Sequence, residues 1–316
     1  MVKIKASIIG LGRIGYGYKK NGLSYFSALK KVNKFKLTSV CDLKIKKIYK
    51  KSLEKIKIAK YKDYRDIFNN NKPDIAIISS SDGTHSEIAQ YCINKGIKGL
   101  IIEKPLTNDL IKFNQLKKKV QKKKITVEVN YTRNFIKEFF FLKKKIEKIK
   151  EIKRFQIIFN NGLIHNGCHY LALLLYIFKS PIKVIYSRLN KSKNLRDDFY
   201  GEITLNVKKD FNIDIKILDI KNFSIDEIDV ILKKERIQVD GDKLIISSLK
   251  RHKKYPNFFK FYPKKVLLIN YKNALKNLLN RYKINYKNKN TKNDNFYLTN
   301  EILNLNKIIL KKNVNK

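Results

Sequence analysis

The chain has 316 residues, of which 43% are hydrophobic, and it carries a formal net charge of +44. This length and apolar content exclude a disordered chain and favour two globular domains. No run of about 18 apolar residues occurs, so no membrane-spanning helix is expected. The chain begins MVKIKASIIG, without the apolar segment and cleavage site of a secretion signal. Three scattered cysteines (Cys41, Cys92 and Cys168) predict reduced thiols in a cytoplasmic protein. Because no spanning segment is expected, we also expect no membrane partner.

The positive charge comes from 71 Lys and Arg residues against 27 Asp and Glu residues. Lysine predominates and is spread along nearly every segment, with abundant Asn, Ile, Phe and Tyr, a pattern typical of an AT-rich genome. Nucleic-acid-binding proteins more often concentrate basic residues on one face and use arginine for bidentate contacts. We therefore expect no specific nucleic-acid partner, although the charge favours anionic ligands in general.

The first predicted strand, Ile4 to Ile9, leads into three glycines with the spacing G-x-G-x-x-G. Gly10 permits a tight turn, Gly12 lets the backbone approach a pyrophosphate, and Gly15 lets the following helix pack closely on the sheet. The diphosphate of a dinucleotide would lie at the N-terminus of that helix. The predicted cofactor contacts of this motif are Gly10, Gly12, Arg13, Ile14 and Gly15.

A polar, glycine-containing loop then precedes a predicted helix, Ser24 to Val32, and a second apolar strand, Lys36 to Cys41. Asp42 ends this strand, 27 residues after Gly15. A carboxylate at this position can accept both hydroxyls of the adenosine ribose and repels a 2′-phosphate, which favours NAD. Nearby lysines leave NADP open, namely Lys44, Lys46 and Lys47.

Fully apolar strands alternate with helices through the following residues, which predicts a parallel sheet covered on both faces. The predicted helices cover residues 44–60, 64–70, 85–95 and 108–120, and the strands cover residues 74–79, 99–102 and 125–129. The polar turn after the strand at 74–79 places Ser79 and Ser80 near a nicotinamide ribose. His85 follows, either close to the cofactor or in a structural role.

Three segments together resemble the Gfo/Idh/MocA oxidoreductase family, which includes glucose–fructose oxidoreductase and inositol dehydrogenase. They are the glycine motif, SSSDGTHSEIAQYCINKG leading into IIEKPL, and VNYTRNF. The resemblance is clear over residues 1–180. It implies a Rossmann domain over residues 1–130 and an α+β domain over residues 131–316, whose closing helices pack back on the first domain.

Within the EKP element, the resemblance assigns a catalytic role to Lys104. A lysine at the carboxyl end of a sheet strand can stabilise negative charge on a substrate oxygen. Glu103 and Lys104 are also placed among the cofactor contacts, with Glu103 either orienting Lys104 or capping the sheet edge. Asn130 and Arg133, after the next strand, are predicted to bind substrate.

Two of the four histidines fall in NNGLIHNGCHYLALLLYIF, where a helix is predicted from His165 onward. The family pattern here is D-x-x-x-H, so His169 matches the proton-transfer histidine and His165 stands where aspartate is usual. His165 is also predicted to be catalytic, by binding a sugar hydroxyl or by orienting His169. Asn166 is predicted to bind substrate. The H-x-x-x-H spacing also suits zinc, but no third ligand is evident, and we predict no metal. His252 is predicted to lie in a solvated basic turn.

Beyond residue 182 the sequence predicts several strands with alternating apolar residues, covering 183–189, 200–207, 213–218, 225–232, 236–239 and 244–247. Asp240-Gly241 is a hairpin signal. These features predict a largely antiparallel, open sheet that holds substrate or pairs subunits into a homodimer or homotetramer. Helices are predicted at 273–282 and 297–311, joined by the polar stretch from Lys287 to Asp294.

The function expected from these features is hydride transfer between NAD(P) and a secondary hydroxyl carbon of a sugar, cyclitol or nucleotide-sugar. His169 would move the hydroxyl proton and Lys104 would stabilise the charge on oxygen, the two converging beside the nicotinamide. Members that act on surface-polysaccharide sugars are similar in the segment after Gly15 and in HNGCH. Two alternatives stay open: a dehydratase or glycosidase that oxidises its substrate transiently, and a redox-silent protein that binds dinucleotide or nucleic acid.

Overall fold

The computed structural model describes residues 2–17, 23–45, 53, 56–70, 72–147, 152–208, 211–288 and 294–314. The chain divides into two compact units. The first comprises Met1–Phe135 and Tyr271–Asn300, and the second comprises Ile136–Asn270 and Glu301–Lys316.

Alternating strands and helices build the first unit. Its strands are β1 (Ile4–Ile9), β2 (Phe35–Cys41), β3 (Ala59–Tyr61), β4 (Ile75–Ile78), β5 (Gly99–Glu103) and β6 (Thr126–Asn130). The described helices between them are α1 (Tyr25–Lys30), α2 (Arg65–Asn70), α3 (His85–Asn94) and α4 (Leu110–Lys122). The strands form a parallel sheet in the order β3-β2-β1-β4-β5-β6. Every residue of β4, β5 and β6 is buried, as expected for strands covered on both faces, and the predicted Rossmann fold is confirmed.

The helix predicted over residues 44–60 falls largely outside the described residues. For its last two residues the prediction of a helix is wrong. Ala59 and Lys60 belong to β3, where they pair with Ser39 and Val40 of β2. Pairing at the sheet edge therefore overrides the helix propensity of this lysine-rich segment.

A large sheet dominates the second unit. Its first segment, Ile136–Asn270, also contains the helices α5 (Lys137–Glu147) and α6 (Cys168–Phe178). The strands are β7 (Ile152–Asn160), β8 (Lys183–Lys191), β9 (Phe199–Lys208), β10 (Phe211–Leu218), β11 (Asp226–Leu232), β12 (Glu235–Asp240), β13 (Lys243–Arg251) and β14 (Phe259–Leu268). Their order among the described residues is β14-β13-β12-β11-β7-β10-β9-β8, and each neighbouring pair is antiparallel except β7 with β10. The prediction of a largely antiparallel sheet is confirmed.

One face of this sheet carries the core of the second unit. Apolar residues of β10 are buried and alternate with exposed charged residues, which fixes the register. Helix α6 covers β7. The rings of Phe159 and Tyr170 stack with their centroids 4.5 Å apart, and the ring centroids of Phe155 and Phe178 are 5.9 Å apart. The Asp240-Gly241 hairpin is also confirmed, because Asp240 pairs with Lys243 across the turn.

The sequence analysis does not predict α5, β7 or β14. The lysine-rich start of β7 obscures its alternation, although β7 lies at the centre of the sheet. Strand β14 is an edge strand, largely exposed and interrupted by Pro263, so it carries little of the apolar pattern that marks a strand.

The chain ends in two helices, α7 (Ala274–Lys287) and α8 (Asp294–Val314); most of the predicted polar stretch between them lies outside the described residues. Helix α7 belongs to the first unit and packs on β6. The Arg281 guanidinium contacts the fully buried Glu128 at 2.9 and 3.3 Å and lies over the ring of Phe135. The Tyr282 hydroxyl donates to the carbonyl of Thr126.

Arg281→Met is expected to lower the free energy of unfolding by roughly 3 kcal/mol, because Glu128 stays buried with less compensation for its charge. Urea denaturation measures this loss. Lys276→Met removes an exposed cation from the same helix and serves as the control, with an expected change within about 0.5 kcal/mol. Equal effects of the two substitutions would contradict a stabilising role for the Arg281–Glu128 pair.

Candidate functional site

The glycine motif forms a tight turn at the carboxyl end of β1. Gly10 has φ +94°, and a Cβ there would lie 2.4 Å from the backbone of Ser79. A Cβ on Gly15 would lie 2.0 Å from the carbonyl oxygen of Gly10. Both glycines are therefore required by the fold itself, because the atoms that they approach belong to the backbone.

The helix predicted from Ser24 to Val32 corresponds to α1, so it does not follow the glycine motif directly. The motif itself forms a single turn over residues 12–16, in which the Tyr16 amide donates to the Gly12 carbonyl. Helix α1 begins only at Tyr25, and the amides of Tyr25 and Phe26 donate to the carbonyls of Ile14 and Gly15. Those helix amides are thus engaged by the turn. A bound diphosphate would meet the glycine turn and not the N-terminus of α1.

The turn and the end of β2 together fit a dinucleotide. Gly12 is exposed, and a Cβ built there meets nothing within 4 Å, so the backbone is open to a ligand. The carboxylate of Asp42 accepts the amide of Leu11 at 2.7 Å and that of Lys44 at 2.8 Å. A carboxylate has about four acceptor positions, so Asp42 retains capacity for ribose hydroxyls. Lys46 and Lys47, which bear on NADP, lie outside the described residues.

The two serines after β4 make different contacts. The Ser79 hydroxyl donates to the carbonyl of Gly10 at 2.8 Å and is buried. The Ser80 hydroxyl lies 2.8 Å from that of Thr84, and Ser80 is half-buried. Ser79 therefore holds the glycine turn, a role that the sequence analysis did not identify.

His85 is fully buried, and both of its ring nitrogens approach backbone oxygens. Nδ1 lies 2.8 Å from the carbonyl oxygen of Pro105, and Nε2 lies 3.1 Å from that of Ser80. The imidazole thus connects the turn after β4 to the segment after β5. Of the two roles left open by the sequence, this geometry supports the structural one.

Lys104 directly follows β5 at the carboxyl edge of the sheet, and its peptide bond to Pro105 is cis. The preceding Glu103 is buried, and its Oε1 accepts hydrogen bonds from the Tyr25 hydroxyl at 2.8 Å and the Asn130 amide at 2.6 Å. Burial raises the pKa of Glu103, against the opposing effect of these bonds. The contribution of Glu103 to folding stability is therefore present at low pH, where the carboxyl is protonated. It is lost as the pH rises through the raised pKa of the folded protein.

These contacts bear on two sequence assignments. Glu103 was predicted among the cofactor contacts, either orienting Lys104 or capping the sheet edge, and Asn130 was predicted to bind substrate. Both are buried and bonded to each other. We assign both to holding the end of β5, and with it Lys104, in place. Tyr25 shares this role, which the sequence analysis did not identify. Arg133 is buried in a short turn after β6.

In the second unit, the predicted histidine helix begins later than expected. Residues Gly162–Gly167 form a π-helical turn, and α6 starts at Cys168, so His165 lies in the turn and His169 in the helix. His165 is exposed, and His169 is half-buried with its Nδ1 atom buried. The Asn166 amide donates to the carbonyl of Asn160 at 2.9 Å. π-Helical turns are frequent at functional sites.

Asp198 holds this π-helical turn from the loop between β8 and β9. Its buried carboxylate accepts the amides of Ile164 at 2.8 Å and His165 at 2.9 Å, as well as that of Phe199. Gly162 makes the approach feasible: its φ is +74°, and a Cβ there would lie 2.2 Å from Asp198. The Asp198 carboxylate thus contacts the backbone amide of His165, although the residue at position 165 is not itself an acid.

Asp198→Asn is expected to destabilise the second unit by roughly 2 kcal/mol, because an amide NH₂ would face a backbone N–H where a carboxylate oxygen now accepts it. Turnover is expected to fall while cofactor affinity is unchanged, since the glycine turn lies in the other unit. Chemical denaturation and NAD titration measure the two effects. Asp197→Asn, at the exposed neighbouring position, is the control. Loss of cofactor affinity would contradict this local role.

The zinc alternative gains no support among the residues that the structure describes. No group of three His, Cys, Asp or Glu side chains there could hold a metal ion. Cys41, Cys92 and Cys168 are buried and form no disulfide, and burial raises the pKa of the Cys41 thiol to about 12. A thiol with so high a pKa is a poor nucleophile.

The glycine turn, the carboxylate that ends β2 and the parallel sheet define a Rossmann dinucleotide-binding domain. Residues 4–131 match GFO_IDH_MocA, described as an oxidoreductase family with an NAD-binding Rossmann fold. Over that domain the chain is similar to this family, which confirms the resemblance inferred from the sequence.

One curated relative is myo-inositol 2-dehydrogenase of Thermotoga maritima, 28% identical over 145 residues. The matched stretch covers 46% of this chain and 41% of that relative, so the chain spans less than half of its length. Within the described part of the chain, no helix combines the length and apolar character needed to cross a bilayer.

Two solved structures show the fold of the whole chain. A dehydrogenase from Clostridium difficile has a TM-score of 0.75 at 18% identity and covers 98% of this chain and 99% of its own. A 3-ketoreductase from Actinomadura kijaniata, in complex with NADP and TDP-benzene, has a TM-score of 0.78 at 12% identity and covers 98% of each chain. At these identities the likeness establishes the fold alone.

Proposed function

We propose that the chain is an NAD(P)-dependent oxidoreductase that transfers a hydride between the nicotinamide and a carbon bearing a secondary hydroxyl. The observation that carries this proposal is the position of Lys104 directly after β5. That position is on the same sheet edge as the glycine turn after β1, two strand spacings or about 10 Å away. Ligands bind at this edge in open α/β sheets.

The residues of the first unit support binding of the dinucleotide. The open backbone at Gly12 suits a diphosphate, and Asp42 suits the adenosine ribose, which favours NAD over NADP. When bound, the nicotinamide supplies the hydride acceptor or donor. Lys104 lies at the carboxyl edge of the sheet, where an ammonium group stabilises negative charge developing on a substrate oxygen.

We assign the proton transfer to His169, whose residue type titrates near neutral pH. The π-helical turn that precedes it is fixed by Asp198, so the start of α6 is held in one conformation. Joint action of His169 and Lys104 on one substrate stays a prediction from the sequence. The roles of His165 and Asn166 beside His169 also stay predictions.

The proposed substrate is a polyhydroxylated ring: a cyclitol, a sugar or a nucleotide-linked sugar. The name of the Thermotoga maritima relative supports a cyclitol, and the TDP compound bound to the 3-ketoreductase supports a nucleotide-linked sugar. The strongly positive chain suits the latter, because diphosphates are anionic. We further propose a cytoplasmic homo-oligomer associated through the sheet of the second unit, which sedimentation velocity tests.

The experiment is a cofactor titration followed by a substrate panel. NAD and NADP binding are measured by calorimetry, and cyclitols, sugars and nucleotide-sugars are then screened for absorbance change at 340 nm. We expect binding of NAD and net formation of NADH with at least one polyol. Substrate turnover without net NADH would support a dehydratase or glycosidase instead. Nucleic-acid binding without dinucleotide binding would refute the proposal.

A further inference from the structure

The β13–β14 hairpin carries an unusual concentration of cations and aromatic rings, which we call the hairpin tip (residues 250–265). Its sequence, KRHKKYPNFFKFYPKK, contains seven Lys and Arg residues, five Phe and Tyr residues and no acid. Aromatic residues make up 11% of the whole chain, so the tip has more than twice the average content. The bias of the whole chain toward Lys, Phe and Tyr explains part of this content, but not its concentration in one hairpin or the missing acids.

The turn that connects the two strands is well defined by its own hydrogen bonds. The His252 amide donates to the Phe258 carbonyl at 2.7 Å, and the Phe258 amide donates to the Tyr255 carbonyl at 3.0 Å. The Nδ1 atom of His252 accepts the amides of Lys254 and Tyr255, and its ring stacks on that of Tyr255. This arrangement holds three large side chains in solvent. Their exposed fractions are 52% for Tyr255, 68% for Phe258 and 58% for Phe259.

In the strands next to these rings, two positive charges lie opposite each other. Lys250 lies opposite Lys260 in the antiparallel register, and both are exposed. Arg251 lies opposite Phe259 on the other face. Like charges directly opposite each other destabilise a sheet pair, and the tip contains no carboxylate to offset them. An anionic surface placed against the tip would remove this repulsion.

We propose that the hairpin tip docks the protein on an anionic lipid bilayer. Phe258 and Phe259 enter the interface between headgroups and acyl chains, while the surrounding cations contact anionic headgroups. Exposed aromatic residues beside lysines are the composition that favours peripheral membrane binding. The proposal does not depend on the activity proposed above.

The composition also separates this partner from two others. A second copy of the tip is disfavoured, because two clusters of seven cations repel. Nucleic-acid recognition favours arginine, and the tip has one arginine against six lysines. The sequence analysis expected no membrane partner because it considered only spanning segments, whereas docking by a hairpin requires none.

The absence of tryptophan from the chain gives a direct test of insertion. Phe258→Trp introduces one indole at the tip, and Phe223→Trp introduces one at a position that is 57% exposed elsewhere in the same unit. Vesicles of phosphatidylglycerol and phosphatidylcholine in a ratio of one to two are added to each variant. We expect a blue shift of the emission for Phe258→Trp and none for Phe223→Trp. Pure phosphatidylcholine is expected to produce no shift.

Co-sedimentation with the same vesicles tests the charges. The double substitution Lys250→Glu with Lys260→Glu is expected to weaken binding at least about tenfold, since each basic residue near an anionic surface contributes about fivefold. Lys243→Glu, at the far end of β13, is the control, and circular dichroism confirms that each variant is folded. Binding is expected to fall at high ionic strength.

Several results would overturn this proposal. No co-sedimentation of the unaltered protein would do so, as would equal blue shifts at positions 258 and 223. Binding of single-stranded RNA, but not vesicles, through the same residues would replace the lipid with a nucleic acid. Concentration-dependent self-association lost on Phe258→Ser, without vesicle binding, would identify the tip as a contact between copies.

Discussion

Gly12→Ala is expected to weaken NAD binding by about 10- to 100-fold without destabilising the fold. A Cβ at this position meets no protein atom within 4 Å, so the folded chain accommodates it. The free energy of unfolding is expected to stay unchanged or to rise by up to about 1 kcal/mol, because alanine restricts the unfolded chain. The methyl group would instead occupy the space into which the diphosphate must enter, an overpacking that costs about 1–3 kcal/mol. Calorimetric titration and urea denaturation measure the two quantities separately.

The neighbouring glycine provides the control for this experiment. On Gly15→Ala the new Cβ would lie 2.0 Å from the Gly10 carbonyl oxygen, which cannot move without displacing β1. That substitution is expected to destabilise the protein and to lower NAD binding only as a consequence. If Gly12→Ala bound NAD with unchanged affinity, the diphosphate would not lie over the glycine turn, and the proposed orientation of the cofactor would be wrong.

This difference between two glycines illustrates what the sequence could and could not predict. The spacing identified the turn and its position after β1, because an apolar strand followed by G-x-G-x-x-G has few other structural solutions. It could not distinguish a glycine that the fold requires from one that a ligand requires. That distinction depends on Ser79, which contacts the turn from 64 or more residues away in the chain.

The parallel sheet was predictable for a similar reason. Strands buried on both faces are short, continuous apolar runs, such as Ile75–Ile78, and such runs stand out even in a lysine-rich chain. The edge strands β3 and β14 lack this pattern, because one or both faces are solvated. Their positions follow from pairing with β2 and β13, which a local pattern cannot show.

The supporting residues of the candidate site were not predictable, because they come from distant segments. Asp198 contacts the amide of His165 across 33 positions, and Tyr25 contacts Glu103 across 78. Neither residue has a distinctive local sequence: Asp198 lies in a polar loop, and Tyr25 occupies a buried position of a short helix. The residues that the sequence proposes for the chemistry lie in local motifs, whereas the residues that hold those motifs in place do not.

His169→Ala and Lys104→Met are each expected to lower kcat by about 10²- to 10⁴-fold, the usual contribution of a proton-transfer group or a charge-stabilising donor. The cofactor contacts proposed at the glycine turn and Asp42 belong to the first unit and His169 to the second, so the dissociation constant of NAD is expected to change by less than about twofold on His169→Ala. His165→Ala is expected to have a smaller effect, because His165 is exposed and its backbone amide, not its side chain, is held by Asp198. Steady-state kinetics on the substrate found in the panel, with NAD titrations, measure these changes.

The pH profile separates proton transfer from a structural loss. If His169 moves the hydroxyl proton, the fall in kcat at low pH that reflects a titrating histidine should be absent in His169→Ala, because the remaining activity no longer depends on an imidazole. His252→Ala is the control, since His252 lies in the turn of the hairpin tip and should leave both the rate and the profile unchanged. A variant lacking His169 that kept the profile of the unaltered enzyme would transfer the proton to another group. Lys104 would then be the first alternative to examine, because an ammonium at the carboxyl edge of the sheet can donate a proton as well as stabilise charge.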